Sequence, residues 1–348
     1  MRVDVVNTNL EFGISLYKEL VAGNPQENVF FSPVSLMFAL GLTLLGSRGH
    51  LLSFGQQYKH TNDISFFQIN CYTCYQLKSV MKIGIMMSAD VHQGLLEMKS
   101  FLENTKSPQE IHIANRLFFE QSELWLKVLL TVVRNTTEVV RIINGAPASV
   151  AKINRLGLSI LVNAIYFEGK WKTKFERTES GEFKINPDQI LELPYENQSM
   201  SFVILLPNLN ETTLENVEKI LESGVLLEIN ERLTETKLKI RLTKFSLTNE
   251  PKVMEKLQKL GLTDLFIEGK ADLYNMNMKN DLYVSKLVHK AFIEVNEGGT
   301  VAAAATGGQP RARSAIEYVS FNADYPFIFL IKDNNFQTVF FMGKFVKP

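Results

Sequence analysis

The chain has 348 residues, of which 45% are hydrophobic, 10% aromatic and 21% charged, a composition that excludes a disordered or fibrous protein. Lys+Arg 37 balance Asp+Glu 37, so the formal net charge is zero and there is no global bias toward nucleic acid or an anionic membrane. Two cysteines cannot build a disulfide framework.

The opening residues, Met1-Arg2-Val3-Asp4-Val5-Val6-Asn7, hold one basic residue, an early acid and no apolar run long enough for a secretory signal. Residues 9–21 read as an amphipathic helix with Leu10, Ile14, Tyr17 and Val21 on one face, stopped by Pro25. Residues 29–46 are nearly all apolar and close to membrane-spanning length. Ser32, Pro33, Ser35 and Thr43 interrupt them and no basic cluster sets an orientation, so a buried core helix starting near Pro33 is expected. Residues 47–90 have weak periodicity; 91–102 and 124–133 read as helices, and 111–119 alternate as a strand.

Residues 158–167 (LSILVNAIYF) form the continuous apolar run of a strand buried on both faces, and 200–206 are another. Residues 236–247 alternate, with Leu238, Ile240 and Leu242 on one side, then change phase at Thr243-Lys244 as a β-bulge would. Residues 251–260 read as a helix closed by Gly261. A long strand over 282–295 puts Tyr283, Ser285, Leu287, His289, Ala291, Ile293 and Val295 on one face. The chain closes with strands over 326–331 and 338–346, a hairpin across Lys332-Asp333-Asn334-Asn335. Helices lead and strands dominate the second half, which is an α+β pattern with mostly antiparallel sheets. No repeat or linker divides residues 1–348, so one domain is expected.

The segment from Asn296 to Ser314 (NEGGTVAAAATGGQPRARS) is a long connection without a helical pattern, and such connections are functional or flexible tethers. Taken as a strand, one face would carry Thr300, Ala302, Ala304, Thr306 and Gly308, the other Val301, Ala303, Ala305 and Gly307. Every one of these is small and uncharged. Such a segment can slip between existing strands without burying a charge or overpacking a core. Glycines at 298 and 299 let the backbone turn. This loop can therefore become a strand.

These residues, Glu297-x-Gly299-Thr300-x-Ala302-Ala303-Ala304-Ala305 after His289-Lys290-Ala291-Phe292-Ile293-Glu294-Val295, closely resemble the hinge and preceding strand of the serpins. Asn28-Val29-Phe30-Phe31-Ser32-Pro33-Val34-Ser35-Leu36 resembles the start of that family's central helix, and Leu161-Val162-Asn163-Ala164-Ile165-Tyr166-Phe167-Glu168-Gly169-Lys170-Trp171 its second large motif. Leu191-Glu192-Leu193-Pro194-Tyr195, Tyr283-Val284-Ser285-Lys286 and Phe341-Met342-Gly343-Lys344-Phe345 fit as well, six motifs in the right order.

The resemblance implies a serpin-like α+β fold of three mostly antiparallel β-sheets, about eight or nine helices and an exposed reactive loop at about 297–320. It implies a serine protease inhibitor that acts as a suicide substrate. The target protease attacks the loop, an acyl-enzyme forms, and the N-terminal half of the loop inserts into the main sheet as a new strand. From Thr300 to Arg313 that strand would span roughly 45 Å at about 3.3 Å per residue. Family spacing from Glu297 puts the scissile bond between Arg313 and Ser314, with Arg311 as an alternative, and an arginine there suits trypsin-like proteases. Pro310 lacks an N–H and can join an inserted strand only near its end.

The family's shutter corresponds to Ser32, Ser35, Asn163 and His289, and its breach to Trp171 and Lys244, the latter matching the position that pairs with Glu297. A monomer is implied, with no cofactor, metal, nucleic acid or membrane. The family points to an extracellular protein and the missing signal peptide to a cytoplasmic one.

Three stretches depart from the family pattern: residues 49–90, the short interval from Arg134 to Leu158, and the seven residues between Phe183 and Leu191. They imply missing helices or strands and keep open a non-inhibitory carrier or chaperone, or an incomplete inhibitor. Cys71-Tyr72-Thr73-Cys74 is a lone C-x-x-C, read as free thiols, with His50 and His60 near it in sequence only. No dinucleotide or P-loop motif is present. Sequons at Asn135, Asn197 and Asn210 are candidate glycosylation sites.

Overall fold

Ser32-Pro33 sets the centre of the architecture. Pro33 occupies the first helical position, where its missing N–H costs nothing, and the Ser32 side chain accepts from the Ser35 N–H as an N-cap. The helix that follows is almost wholly buried, in keeping with its apolar sequence. In the computed structural model, the described residues are 2–47, 72–84, 93–94, 97, 110–119, 158–173, 180–185, 190–196, 198–226, 232–300, 319–335 and 337–348.

In chain order these include helix α1 (Arg2–Val21), strand β1 (Val29–Phe31), helices α2 (Pro33–Gly46) and α3 (Tyr72–Val80), and strands β2 (Glu110–Phe119), β3 (Leu158–Lys170), β4 (Ser180–Ile185), β5 (Ile190–Pro194) and β6 (Met200–Leu205). Helix α4 (Leu214–Ile220) leads to β7 (Thr234–Leu242), β8 (Phe245–Asn249), α5 (Val253–Lys259) and α6 (Tyr274–Asn277). The chain ends with β9 (Tyr283–Asn296), β10 (Gly299–Thr300), β11 (Val319–Ala323), β12 (Phe327–Asp333) and β13 (Val339–Phe345). The expected helices at 124–133 and most of 91–102 lie outside the described residues, and no described helix is long and apolar enough to cross a membrane.

Five strands form one sheet in the order β2-β3-β10-β9-β8, and eight form another in the order β1-β13-β12-β6-β5-β4-β7-β11. The second is two sheets joined edge to edge: β4 meets β5 through only two residue pairs, Lys184↔Glu192 and Ile185↔Leu191. The three expected sheets are thus present with that narrow junction between two of them. Pairing is mostly antiparallel; β3 with β9 and β7 with β11 are parallel.

Two local expectations change. The phase shift at Thr243-Lys244 is not a bulge within one strand. It is where the chain leaves β7, in the eight-stranded sheet, and begins β8, in the five-stranded one. In β9 the alternation is interrupted, because Ser159 pairs with Val284 and Ile160 with Lys286, so the register slips by one residue at Ser285. That bulge turns Val284 inward, and Tyr283 and Ser285 are only half-buried while Leu287, His289, Ala291, Ile293 and Val295 face the core. The helix before Gly261 ends as expected, with Gly261 at φ 106°, a conformation glycine adopts without strain.

An aromatic column ties the sheets together. Trp171 stacks on Tyr195 (4.8 Å, 9°) and meets Phe202 edge-on; Phe202 stacks on Phe329, Phe329 on Phe30 and Phe30 on Phe341. Phe167 closes the circuit against both Phe341 and Tyr195.

A buried charge cluster fixes α1 and α4 to β13. Lys344 Nζ lies 3.1 Å from Glu218 Oε1 and donates to the Pro25 carbonyl at 3.2 Å, while the Tyr17 hydroxyl donates to the same carboxylate oxygen at 3.0 Å. Burial, and then the Glu218 charge, push the Tyr17 hydroxyl well above its ordinary range, so it remains a neutral donor. Removing one partner would strand the other charge in the interior. Glu218→Ala is expected to cost about 3–5 kcal/mol in chemical denaturation, and the double change Glu218→Leu/Lys344→Met markedly less.

Candidate functional site at the seam between β3 and β9

The two central strands run side by side from Leu158↔Tyr283 to Tyr166↔Phe292. From Leu161↔Leu287 to Ile165↔Ala291 the face toward α2 is apolar apart from one pair directly in register, Asn163↔His289, and both of those side chains are fully buried. His289 Nε2 accepts from the Ser32 N–H at 3.0 Å. A ring nitrogen that accepts carries no proton, so the neutral ring holds its proton on Nδ1 and donates to Asn163 Oδ1. Burial favours that neutral form and lowers the His289 pKa to about 3.

The rest of the network is satisfied in the same way. Asn163 Nδ2 donates to Ser35 Oγ at 2.6 Å and to the Ser35 carbonyl at 3.0 Å. Ser32 Oγ donates to the Phe340 carbonyl at 2.6 Å while accepting from the Ser35 N–H at 3.2 Å. Four residues from α2 and its cap, β3 and β9 thereby lock the seam to the helix beneath it and to β13. Ser32, Ser35, Asn163 and His289, singled out in the sequence, are brought together; the Phe340 carbonyl has no side-chain signature and was missed.

At the far end the strands part. β10 lies between them, with Gly299 opposite Lys170 and Asn296, and Thr300 opposite Gly169 and Val295, antiparallel to both. Trp171 caps this gap: its N–H donates to the Gly298 carbonyl at 3.2 Å and its indole Nε1 to the Asn296 carbonyl at 2.9 Å. The Asn296 side chain accepts from the Gly298 N–H at 2.9 Å, an Asx turn that starts the reversal into β10. Gly169 leaves no room for a side chain, since a Cβ there would lie 2.8 Å from both Phe167 and Tyr195 rings. Neither Asn296 nor Gly169 was identified from sequence, although Asn-x-Gly after a strand is a turn signal.

Lys244 Nζ pairs with Glu297 Oε1 at 2.8 Å, as expected, with both side chains more than half exposed. Such a pair contributes about 0–1 kcal/mol and serves as geometry more than stability. The backbones of Gly299 and Thr300 are described; Ala302, Ala303, Ala304, Ala305, Arg311, Arg313 and Ser314 lie outside the described residues, as do Cys71, His50 and His60. Cys74 is buried on α3, and no cluster of potential metal ligands occurs among the described residues.

The family model for Serpin (serine protease inhibitor) matches residues 7–156 and 182–348. The chain belongs to the serpin family. It is 32% identical over 395 residues to human Serpin B11, with 98% of each chain covered, and 33% identical over 384 residues to the leukocyte elastase inhibitor of Sus scrofa, again with 98% of each covered. In fold it is similar to the thermophilic serpin tengpin in its native state, at TM-score 0.77, 22% identity, and 99% and 94% coverage of this chain and that one. Strand β3 falls in the interval between the two matched blocks, so the central strand of this serpin is supplied by the structure and by the Leu161–Trp171 motif.

The histidine has a pH signature. Its folded pKa is depressed below the unfolded value, so the unfolded chain binds the extra proton and stability is fully present above about 6.5. As pH falls from 6.5 toward about 3, this residue should remove about 1.4 kcal/mol per unit. Denaturation of the wild type and of His289→Gln at several pH values is expected to give that slope in the wild type alone as their difference.

Proposed function

We propose that this serpin is an inhibitor that traps a serine protease by inserting its cleaved loop into the seam between β3 and β9. The observation that carries this reading is β10: the first two loop residues already pair with both strands, while the remainder of the seam is closed on itself.

Continuing that register gives every later residue an address. Ala302 would come opposite Phe167 and Ile293, Ala304 opposite Ile165 and Ala291, and Thr306 between Asn163 and His289. Small side chains meet the packed face, and a hydroxyl meets the one polar pair, where it can replace the hydrogen bond that insertion breaks. Pro310 would arrive opposite Ser285, close to the end of the inserted strand, where a residue without an N–H does least harm.

The bond attacked is Arg313–Ser314. The protease serine adds to the Arg313 carbonyl, the Ser314 amine leaves, and the acyl-enzyme is carried along as the loop inserts. An arginine fits a specificity pocket holding a carboxylate, so the target is trypsin-like. Relatives named as leukocyte elastase inhibitors support a second target class, since elastase pockets accept small residues and the neighbouring Ala312–Arg313 bond would present one. The extracellular placement implied by the family resemblance has no support among these relatives.

Incubation with trypsin should give a covalent complex that survives detergent, with mass spectrometry locating the ester at Arg313. An ester at Ala312 formed with elastase would shift the target class, and cleavage without any complex would favour the carrier reading. Thr300→Arg places a charge at the mouth of the seam and is expected to turn the inhibitor into a substrate, lowering the trapped fraction at least tenfold at an unchanged cleavage rate; a persisting complex would contradict insertion.

A further inference from the structure

Immediately beyond β10, the first residues of β3 and β9 that pair directly are Tyr166 and Phe292. Strand alternation sets them on the face away from α2, because Ile165, Phe167, Ala291 and Ile293 belong to the core on the other side. Their rings stack across the seam with centroids 5.8 Å apart and planes within 6°. The Tyr166 hydroxyl donates to Glu168 Oε2 at 3.4 Å, which steadies the ring from its own strand.

A loop advancing past Thr300 has to pass between these two residues. Neighbouring strands lie about 4.8 Å apart, so an inserted strand moves β3 and β9 to roughly twice that separation and the rings lose contact. The pairs that follow on the same face, Ala164↔Lys290 and Val162↔Val288, carry no ring. The aromatic stack is therefore met first, and the Asn163–His289 pair, three residues further on and on the opposite face, comes after it.

We propose that the Tyr166–Phe292 stack is a latch that governs how fast the seam opens, and through that rate what fraction of cleaved molecules traps its protease. The proposal rests on the insertion reading above. A tight latch gives the acyl-enzyme time to hydrolyse; a loose one lets the loop insert before any protease is met.

The test follows annealing of a labelled synthetic peptide with the sequence from Thr300 to Arg313 into the purified protein, on native gels, alongside the trapped fraction with trypsin. Phe292→Leu and Tyr166→Leu are each expected to anneal peptide about two- to tenfold faster, the range set by the strength of an aromatic pair. Phe292→Tyr, which keeps the stack, should anneal at the wild-type rate. The double leucine variant should be no faster than the quicker single one, because the interaction is lost only once. Phe292→Ile serves in place of a leucine variant that fails to fold. Wild-type annealing rates in folded variants, or rates that multiply in the double variant, would overturn the latch. Absence of a trypsin complex from the wild type would instead overturn the inhibitor reading, and the annealing rates would still decide the latch.

Discussion

The hydrogen bond between His289 and Asn163 is the constraint on which the rest of the site depends. Two strands that are to separate on demand must first be held together, and apolar packing alone would let them slide. A fully buried polar pair, tied through Ser32 and Ser35 to the cap of α2, gives the seam one register and one closed state. Because its groups have no water to turn to, the seam resists partial opening at this point unless a new partner arrives with the inserting strand. Thr306 has the chemistry to be that partner.

The other end of the seam has the opposite character. Glu297, Gly298, Gly299 and Thr300 are held by backbone contacts, an indole, and an exposed ion pair of small worth. Trp171 sits at once on the aromatic column that joins the sheets and over the turn that feeds β10, so the packing of the whole molecule sets the position of the loop's first residues. Under the proposed mechanism, insertion would begin at the exposed ion pair and turn and run toward the buried polar pair. Between the two lies the Tyr166–Phe292 stack.

Much of this was legible in the sequence where function leaves a residue in the wrong company: a histidine and an asparagine in otherwise apolar strands, serines flanking a proline at a helix start, four alanines after a glycine and a threonine. Boundaries with local signals held, as at Pro33 and Gly261. What failed was decided by distant partners. Thr243-Lys244 looks like a bulge because a change of sheet and a slip within one sheet both shift alternation by one residue. The bulge at Ser285 exists only in relation to Ser159 and Ile160 across the ladder. Tyr17, Glu218 and Lys344 are far apart in sequence and carry no shared motif, and the need for glycine at 169 comes from rings on two other strand segments. Arg311, Arg313 and Ser314 rest on the sequence and on family spacing.

The central claim, that the seam of this serpin receives its own loop as a strand, has a direct thermal test. The loop is nicked with a protease that cuts between 306 and 314 without being captured, and the melting temperature of the nicked protein is compared with that of the intact one. Insertion adds a fully paired central strand, so the account predicts a nicked molecule that melts far above the intact one, by tens of degrees. A nicked molecule that melts at or below the temperature of the intact protein would contradict it.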